Sequence, residues 1–219
     1  MNIVLTGLQR IKYLKRFYPI DHIACGEIKT GDAVPSAKVL AIVKRNGRNW
    51  LDRFHWGLVP YWVKDPSTGK GLINARAETV AEKPSFRGAF KAQRCLIPAR
   101  GFYEWTKLDG AKKAVFIELP DAEPFAFAGL WNVRKTAQAD HKSCAMITTR
   151  ASTSIRPVHH RMPVVLKPEV YDQWLDPRNQ DTNSLKQILK KSILTEFICD
   201  IQAQSAKTRH RQLSLLLHF

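Results

Sequence analysis

The sequence predicts an α+β domain built mainly on antiparallel sheet, with helices at its periphery. Strand-like runs fill the middle of the chain, and helical periodicities fall near its ends. The regular strand–helix alternation of a parallel α/β fold is absent. The 219 residues, 44% of them hydrophobic, suffice for one sizeable core. No linker rich in Gly, Ser or Pro and no internal repeat divides them, so a single domain over 1–219 is expected.

Each element has a local reason. Thr6 is placed to cap a first helix whose Leu8, Ile11, Leu14 and Phe17 share a face, with Pro19 as its stop. "AKVLAIVKRNGRNWLDRFHWGLVP" reads as a hairpin turning at Asn46-Gly47, the residue pair that tolerates two positive φ angles. "YWVKDPSTGKG" is a loop by its Pro and Gly content, and "KPSFRGAFKAQ" a short helix. "RCLIPARGFYEW" reads as two short strands around a turn, and "KAVFIELPDAEPFAFAGLW" as a second hairpin with a proline-rich tip. "SCAMITT" is a buried strand, followed by "MPVVL" and a helix opened by Pro168 that includes Val170, Tyr171 and Trp174. In "TNSLKQILKKSI", Leu185, Ile188, Leu189 and Ile193 recur at helical spacing.

Charge points to the partner. Thirty-five Lys and Arg against 19 Asp and Glu leave a net charge of +16, more than solubility requires, so a polyanion is expected. The basic residues are spread along the chain, which favours a folded surface over a disordered arm. No basic amphipathic helix with an aromatic face stands out, so nucleic acid is expected rather than a membrane. No apolar run approaches the roughly 20 residues of a membrane span, and the N-terminus lacks a secretory layout. A cytoplasmic protein is the simplest reading. Cys25, Cys95, Cys144 and Cys199 are scattered without C-x-x-C or zinc spacing, so neither disulfide, metal nor cofactor is expected.

Three segments combine reactive groups with aromatic neighbours: "LINARAET" with Asn74, Arg76 and Glu78; "GFYEW" with Glu104 and Trp105; and "RPVHHRMPVV" with His159, His160 and Arg161. Taken singly, each has a plainer explanation as a surface charge, a helix start or a core histidine, and most tryptophans fill cores. Together they make chemical sense. A carboxylate among aromatic rings acts as a general acid near neutrality, an imidazole relays protons, arginines clamp phosphates and exposed tryptophans stack on unpaired bases. That set suits the sugar of a single-stranded nucleic acid whose base is missing or flipped away.

In order along the chain, "WGLVPYW", "INARAET", "CLIPARGFYEW", "FAGLW" and "HHRMPVVL" resemble the SOS-response-associated peptidase (SRAP) family, whose members process abasic sites in single-stranded DNA. The likeness is strongest over 34–174. It implies a barrel-like, mainly antiparallel core and association with the nucleoid when bound to abasic single-stranded DNA; nothing in the sequence demands more than a monomer. Family members shed the initiator Met to expose a cysteine. Its α-amine condenses with the ring-opened sugar and its thiol then closes a stable thiazolidine. By motif position the resemblance assigns catalytic roles to Asn74, Glu104 and His159, with His160 as a spacer. It assigns DNA contacts to Arg76, Arg161, Trp105, Trp62 and Pro35. Asp32 stands where the family's N-x-A-P stretch carries asparagine.

The N-terminus departs from the pattern. Family members open Met-Cys-Gly-Arg-aromatic, whereas this chain opens "MNIVLTG", and Cys25 has no free α-amine. Thiazolidine formation, and the associated lyase-like and self-processing peptidase activities, are therefore expected to be impaired as written. Either the native start lies upstream and supplies the cysteine, which the filled Asn, Glu and His positions favour, or the chain is a single-stranded-DNA-binding paralogue without the stable crosslink, non-covalent or limited to weak imine chemistry through the amine of Met1 or Asn2. The closing "FICDIQAQSAKTRHRQLSLLLHF" resembles the family only faintly. A hydrolase acting through Glu104 and His159 is disfavoured, because no serine, cysteine or metal constellation supplies a nucleophile.

Overall fold

A computed structural model of the chain describes residues 1–4, 11–26, 32–63, 71–135 and 140–201. Thr6, Leu8, most of the 61–71 loop and the tail after 201 lie outside them. The strands are β1 (Asn2–Val4), β2 (His22–Ile23), β3 (Asp32–Ala33), β4 (Lys38–Arg45), β5 (Arg48–Trp56), β6 (Asn74–Arg76) and β7 (Arg94–Ala99). They continue with β8 (Gly101–Leu108), β9 (Ala111–Glu118), β10 (Phe125–Arg134), β11 (His141–Arg150), β12 (Arg161–Pro163), β13 (Val165–Leu166) and β14 (Ile198–Ile201). The helices are α1 (Ile11–Phe17), α2 (Pro84–Ala92), α3 (Tyr171–Leu175) and α4 (Thr182–Lys191).

The expected α+β class holds. One sheet runs β12-β11-β10-β7-β4-β5-β2, with β13 beside β10 and β6 beside β11. β11 also pairs with β5 in parallel over Ser143↔His55 and Cys144↔Trp56, so the path folds back on itself. With two residue pairs at that seam the core is barrel-like rather than a fully closed barrel. The pairing is antiparallel except where β2 meets β5 and where β11 meets β5 and β6. The other sheet runs β14-β9-β8-β1-β3.

Burial explains why the barrel strands read as continuous apolar runs. All six residues of β7 and the first six of β10 are buried, as strands covered on both faces must be. α2 and α3 pack on one side of β7, and Phe102 of the second sheet meets Phe127 and Phe197 edge to face. α4 presents Leu185, Ile188 and Leu189 to the core, and the Asp181 carboxylate accepts the backbone N–H groups of Asn183 and Ser184 at its start. Ile193 lies beyond this helix and bridges Leu166.

The β4–β5 hairpin forms as the sequence predicts. Asn46 and Gly47 take φ of 49° and 74°, and Arg45 pairs with Arg48, which gives a two-residue type I′ loop. Two other readings are corrected. "KAVFIELPDAEPFAFAGLW" is not a hairpin: β9 pairs with β8 and β14, whereas β10 pairs with β7, β11 and β13. The true partner of β9 is β8, across Asp109-Gly110 at φ of 53° and 75°. The proline-rich stretch carries the chain between sheets instead.

Nor does "RCLIPARGFYEW" double back. Arg100 alone separates β7 from β8, and the strand leaves one sheet and enters the other. Its backbone N–H donates to the Val4 carbonyl at 2.9 Å, and its guanidinium pairs with Glu118 at 3.0 Å. At this joint a Cβ on Gly101 would lie 2.5 Å from the Phe116 ring, so glycine is needed for the close approach.

Candidate functional site

β1 lies between β8 and β3, and its register decides what faces the start of the chain. Asn2 pairs with Tyr103 and Ile3 with Phe102, so the next step sets Met1 against Glu104. The Met1 α-amine lies 3.5 Å from Glu104 Oε2, with the two side chains only 7% and 13% exposed. The ammonium and the carboxylate, held together in such cover, form an ion pair.

On its other side β1 runs against β3. β3 leads into a turn over Val34–Ala37, where the Ala37 N–H donates to the Val34 carbonyl at 3.0 Å. Pro35 supplies the fixed φ of its first corner, and Ser36 takes φ of 72° at the second, a type II position that glycine or asparagine fills more comfortably. Asp32, which the sequence marks as a departure, is exposed at the start of β3.

Trp56 ties this turn to the next group of residues. It is fully buried, so its role is structural. Its carbonyl accepts the Ser36 N–H and its own N–H donates to Ala37. The indole N–H donates to the carbonyl of Ile73 at 3.0 Å, one residue before Asn74. The Pro35 turn and the β6 strand are thus both anchored to one tryptophan.

β6 runs parallel to β11, with Asn74 opposite Met146 and Arg76 opposite Thr148. On the far side of β11, Arg161 of β12 pairs with Arg150. Paired residues point the same way and alternate residues share a face. Asn74, Arg76, Thr148, Arg150 and Arg161 therefore lie on one face of three adjacent strands. Asn74 and Arg76 are exposed, while Ala75 between them is buried.

Arg161 reaches across β11 on this face. Its guanidinium donates to the Thr148 carbonyl at 2.8 Å and grips Glu78 through both carboxylate oxygens, at 3.2 and 2.9 Å. Burial raises the Glu78 carboxyl, but the Arg161 hydrogen bond, a backbone N–H and the Arg161 and Arg150 charges outweigh it and hold the group below its ordinary range. His159 is half-buried, and its Nδ1 lies within hydrogen-bonding distance of both the Arg161 N–H, at 3.1 Å, and the Arg161 carbonyl, at 2.8 Å. A bare Nδ1 accepts the first and a protonated Nδ1 donates to the second. His160 is exposed and stacks loosely on it, ring centroids 4.4 Å apart.

Met1, Glu104 and the Pro35 turn make one group; Asn74, Arg76, His159 and Arg161 make another. Trp56 joins them, and among the described residues no direct hydrogen bond does. Trp105 stands apart from Glu104, because neighbours on β8 face opposite ways; the Lys112 ammonium lies 5.8 Å over its ring. Trp62 is half exposed beside Tyr61, their rings edge to face at 4.9 Å. The backbone beneath this aromatic pair is pinned by groups that sequence reasoning did not single out. Arg134 donates to the carbonyls of Pro60 and Val63, both at 2.9 Å, and Asn132 donates to that of Val59. An exposed aromatic step followed, across β10, by a half-buried arginine leaves no local signal to read.

The thiols are held toward their neutral form. Burial pushes all four up, against a weaker opposing effect of Arg53 at Cys25. A cleft of ≈ 460 Å³ elsewhere, bounded by Phe17, Leu119, Tyr171 and Ile193, contains none of the site residues, and Asp121, Glu123 and Glu196 on its wall outnumber Lys167, which disfavours an anion there. The cationic groups instead occupy an open face, which suits an extended anionic polymer. Among the described residues no helix is long and apolar enough to cross a membrane.

The SOS response associated peptidase (SRAP) family model matches residues 25–201. The abasic site processing protein YoqW of Bacillus subtilis is 41% identical over 161 residues, 73% of this chain and 72% of that protein. YedK of Escherichia coli, another protein of that description, is 30% identical over 144 residues, 66% of this chain and 63% of its own. A phage-related protein from Bordetella bronchiseptica shares the fold with a TM-score of 0.72 at 26% identity, over 93% of this chain and 94% of that one. A second Bordetella bronchiseptica protein reaches a TM-score of 0.74 at 22% identity, a likeness of fold alone. This chain belongs to the SRAP family.

Proposed function

We propose that the protein binds single-stranded DNA and acts on abasic sites within it, with the ring-opened sugar seated between Glu104 and the Asn74–Arg161 face. The observation that carries this reading is the Met1 α-amine against the Glu104 carboxylate. Glu104 accepts a proton from the ammonium, and the freed lone pair adds to the sugar aldehyde carbon. The C–N bond forms, and a proton passes from the nitrogen to the carbonyl oxygen, which becomes a hydroxyl. Loss of that hydroxyl as water, with the proton returned by Glu104, leaves a protonated imine and a free carboxylate. Asn74 and His159 border the path of the sugar, and Arg76 and Arg161 take the flanking phosphates. The relatives' description as abasic site processing proteins supports the same substrate.

A stable thiazolidine needs a cysteine as first residue, and sequencing the mature N-terminus from the native locus tests whether one is present. For the chain beginning at Met1, incubation with single-stranded DNA carrying one abasic site should give a denaturation-resistant band only after borohydride reduction. Glu104→Gln should slow its appearance by about 10²-fold or more while affinity stays near that of the parent. A parent chain that neither binds nor traps such DNA would falsify the proposal. The second reading, a non-covalent binder, is favoured by the asparagine at position 2, which supplies no thiol next to the amine. It predicts retention on filters with no trapped band.

A further inference from the structure

The +16 charge is only partly engaged by the residues that the family motifs mark, and one cation on the site's own face lies outside those motifs. Arg150 ends β11, exposed and directly opposite Arg161 of β12. Like charges on directly opposed residues destabilise a sheet. Arg76, two positions away across β11, adds a third guanidinium to the same face. The only carboxylate joined to this group by an ion pair among the described residues is that of Glu78, and both its oxygens are taken by Arg161. Three positive groups thus share one negative one, and neither Arg76 nor Arg150 donates a hydrogen bond within the described residues.

We infer that Arg150 is a phosphate-binding residue, which extends the cationic face across three strands so that it engages consecutive phosphates of one strand of DNA. Glu78 holds Arg161 in place, and the polyanion supplies the charge that the protein leaves uncompensated. Strands lie roughly 5 Å apart. Arg76 on β6 and Arg150 on β11 are therefore neighbours close enough to serve adjacent phosphates, with Arg161 beyond them.

This assignment rests on the single-stranded-DNA reading above, and its test separates the two. Affinity for an unmodified single-stranded oligonucleotide is measured from low to moderate salt for the parent, Arg150→Ala, Arg150→Lys and, as control, Arg178→Ala, an exposed arginine already paired with Asp176. Arg150→Ala should weaken binding on the order of three- to tenfold at low salt and flatten the log–log salt slope by about 0.7. Arg150→Lys should keep most of that slope, and Arg178→Ala should match the parent. Without DNA, Arg150→Ala should melt at the same temperature as the parent or about a degree or two higher, because the facing charges are relieved. A parent-like slope for Arg150→Ala, or a lowered melting temperature, overturns the assignment and leaves the functional reading intact. A parent chain with no salt-dependent binding overturns that reading, and the role of Arg150 with it.

Discussion

Arg94 and Arg161 are both well-bonded arginines, yet they hold opposite positions in the molecule. Arg94 is 1% exposed, and its guanidinium donates to the carbonyls of Phe90, Lys91, Trp174, Asp176 and Asn179. All five N–H groups are spent on neutral backbone oxygens, where α2 and α3 end. Burial, against the opposing charge of Asp176, lowers its pKa to about 10. Arg161 is half-buried at the start of β12, and its main partner is a carboxylate. A guanidinium saturated by carbonyls inside the fold is a fastener. One gripped by a carboxylate at the surface is already arranged for a phosphate, since both anions accept the same paired hydrogen bonds.

The contrast breaks most readily at Arg94. Arg94→Met should lower the unfolding free energy by about 3 kcal/mol or more, because several buried carbonyls lose their donor at once. Denaturant titration reads this, and the folded fraction should bind DNA as the parent does. Arg161→Ala should do the reverse, with stability changed by less than about 1 kcal/mol and affinity for single-stranded DNA reduced about tenfold at low salt. If both variants lose only stability, the distinction between the two arginines fails.

Glu78→Gln sharpens the comparison more gently. Removing the carboxylate that competes for Arg161 should tighten DNA binding by about two- to fivefold at neutral pH. It should also alter the acid limb of stability. The Glu78 carboxyl is held below its ordinary range, so its contribution is present above about pH 4.3 and fades as the pH falls through the lowered folded-state value. Melting curves from pH 6 down to pH 3 should show a shallower decline for Glu78→Gln. The smallest effect is expected at His160, where alanine should change affinity and trapping rate less than twofold. His159→Ala, which removes the Nδ1 contacts to Arg161, should slow trapping.

Local chemistry made some of this legible in the sequence and left the rest hidden. Asn46-Gly47 announces its hairpin because two left-handed residues in a row permit little else. Asp109-Gly110 carries the same signal, but the proline-rich stretch further on reads as a more obvious tip and draws β9 toward the wrong partner. The parallel contacts of β11 with β5 and β6 have no local signature, since nothing in either segment encodes a neighbour some 70 to 90 residues away. The site divides along the same line. Asn74, Glu104 and His159 stand in motifs whose order along the chain is distinctive. Arg150 reads as an ordinary solvated charge until β12 sets Arg161 opposite it, and Arg134 gains meaning only once the backbone of 60–63 lies beneath it.

The one-residue joint at Arg100 has a consequence for how this chain can be altered. Strand faces alternate with a period of two, so one amino acid inserted there would turn Glu104 outward and bring Tyr103 or Trp105 to the amine instead. The same insertion at the tip of the β8–β9 hairpin lies beyond Glu104 and leaves its orientation untouched. Length variation is therefore tolerable at the hairpin ends and ruinous at the crossing, although both are short.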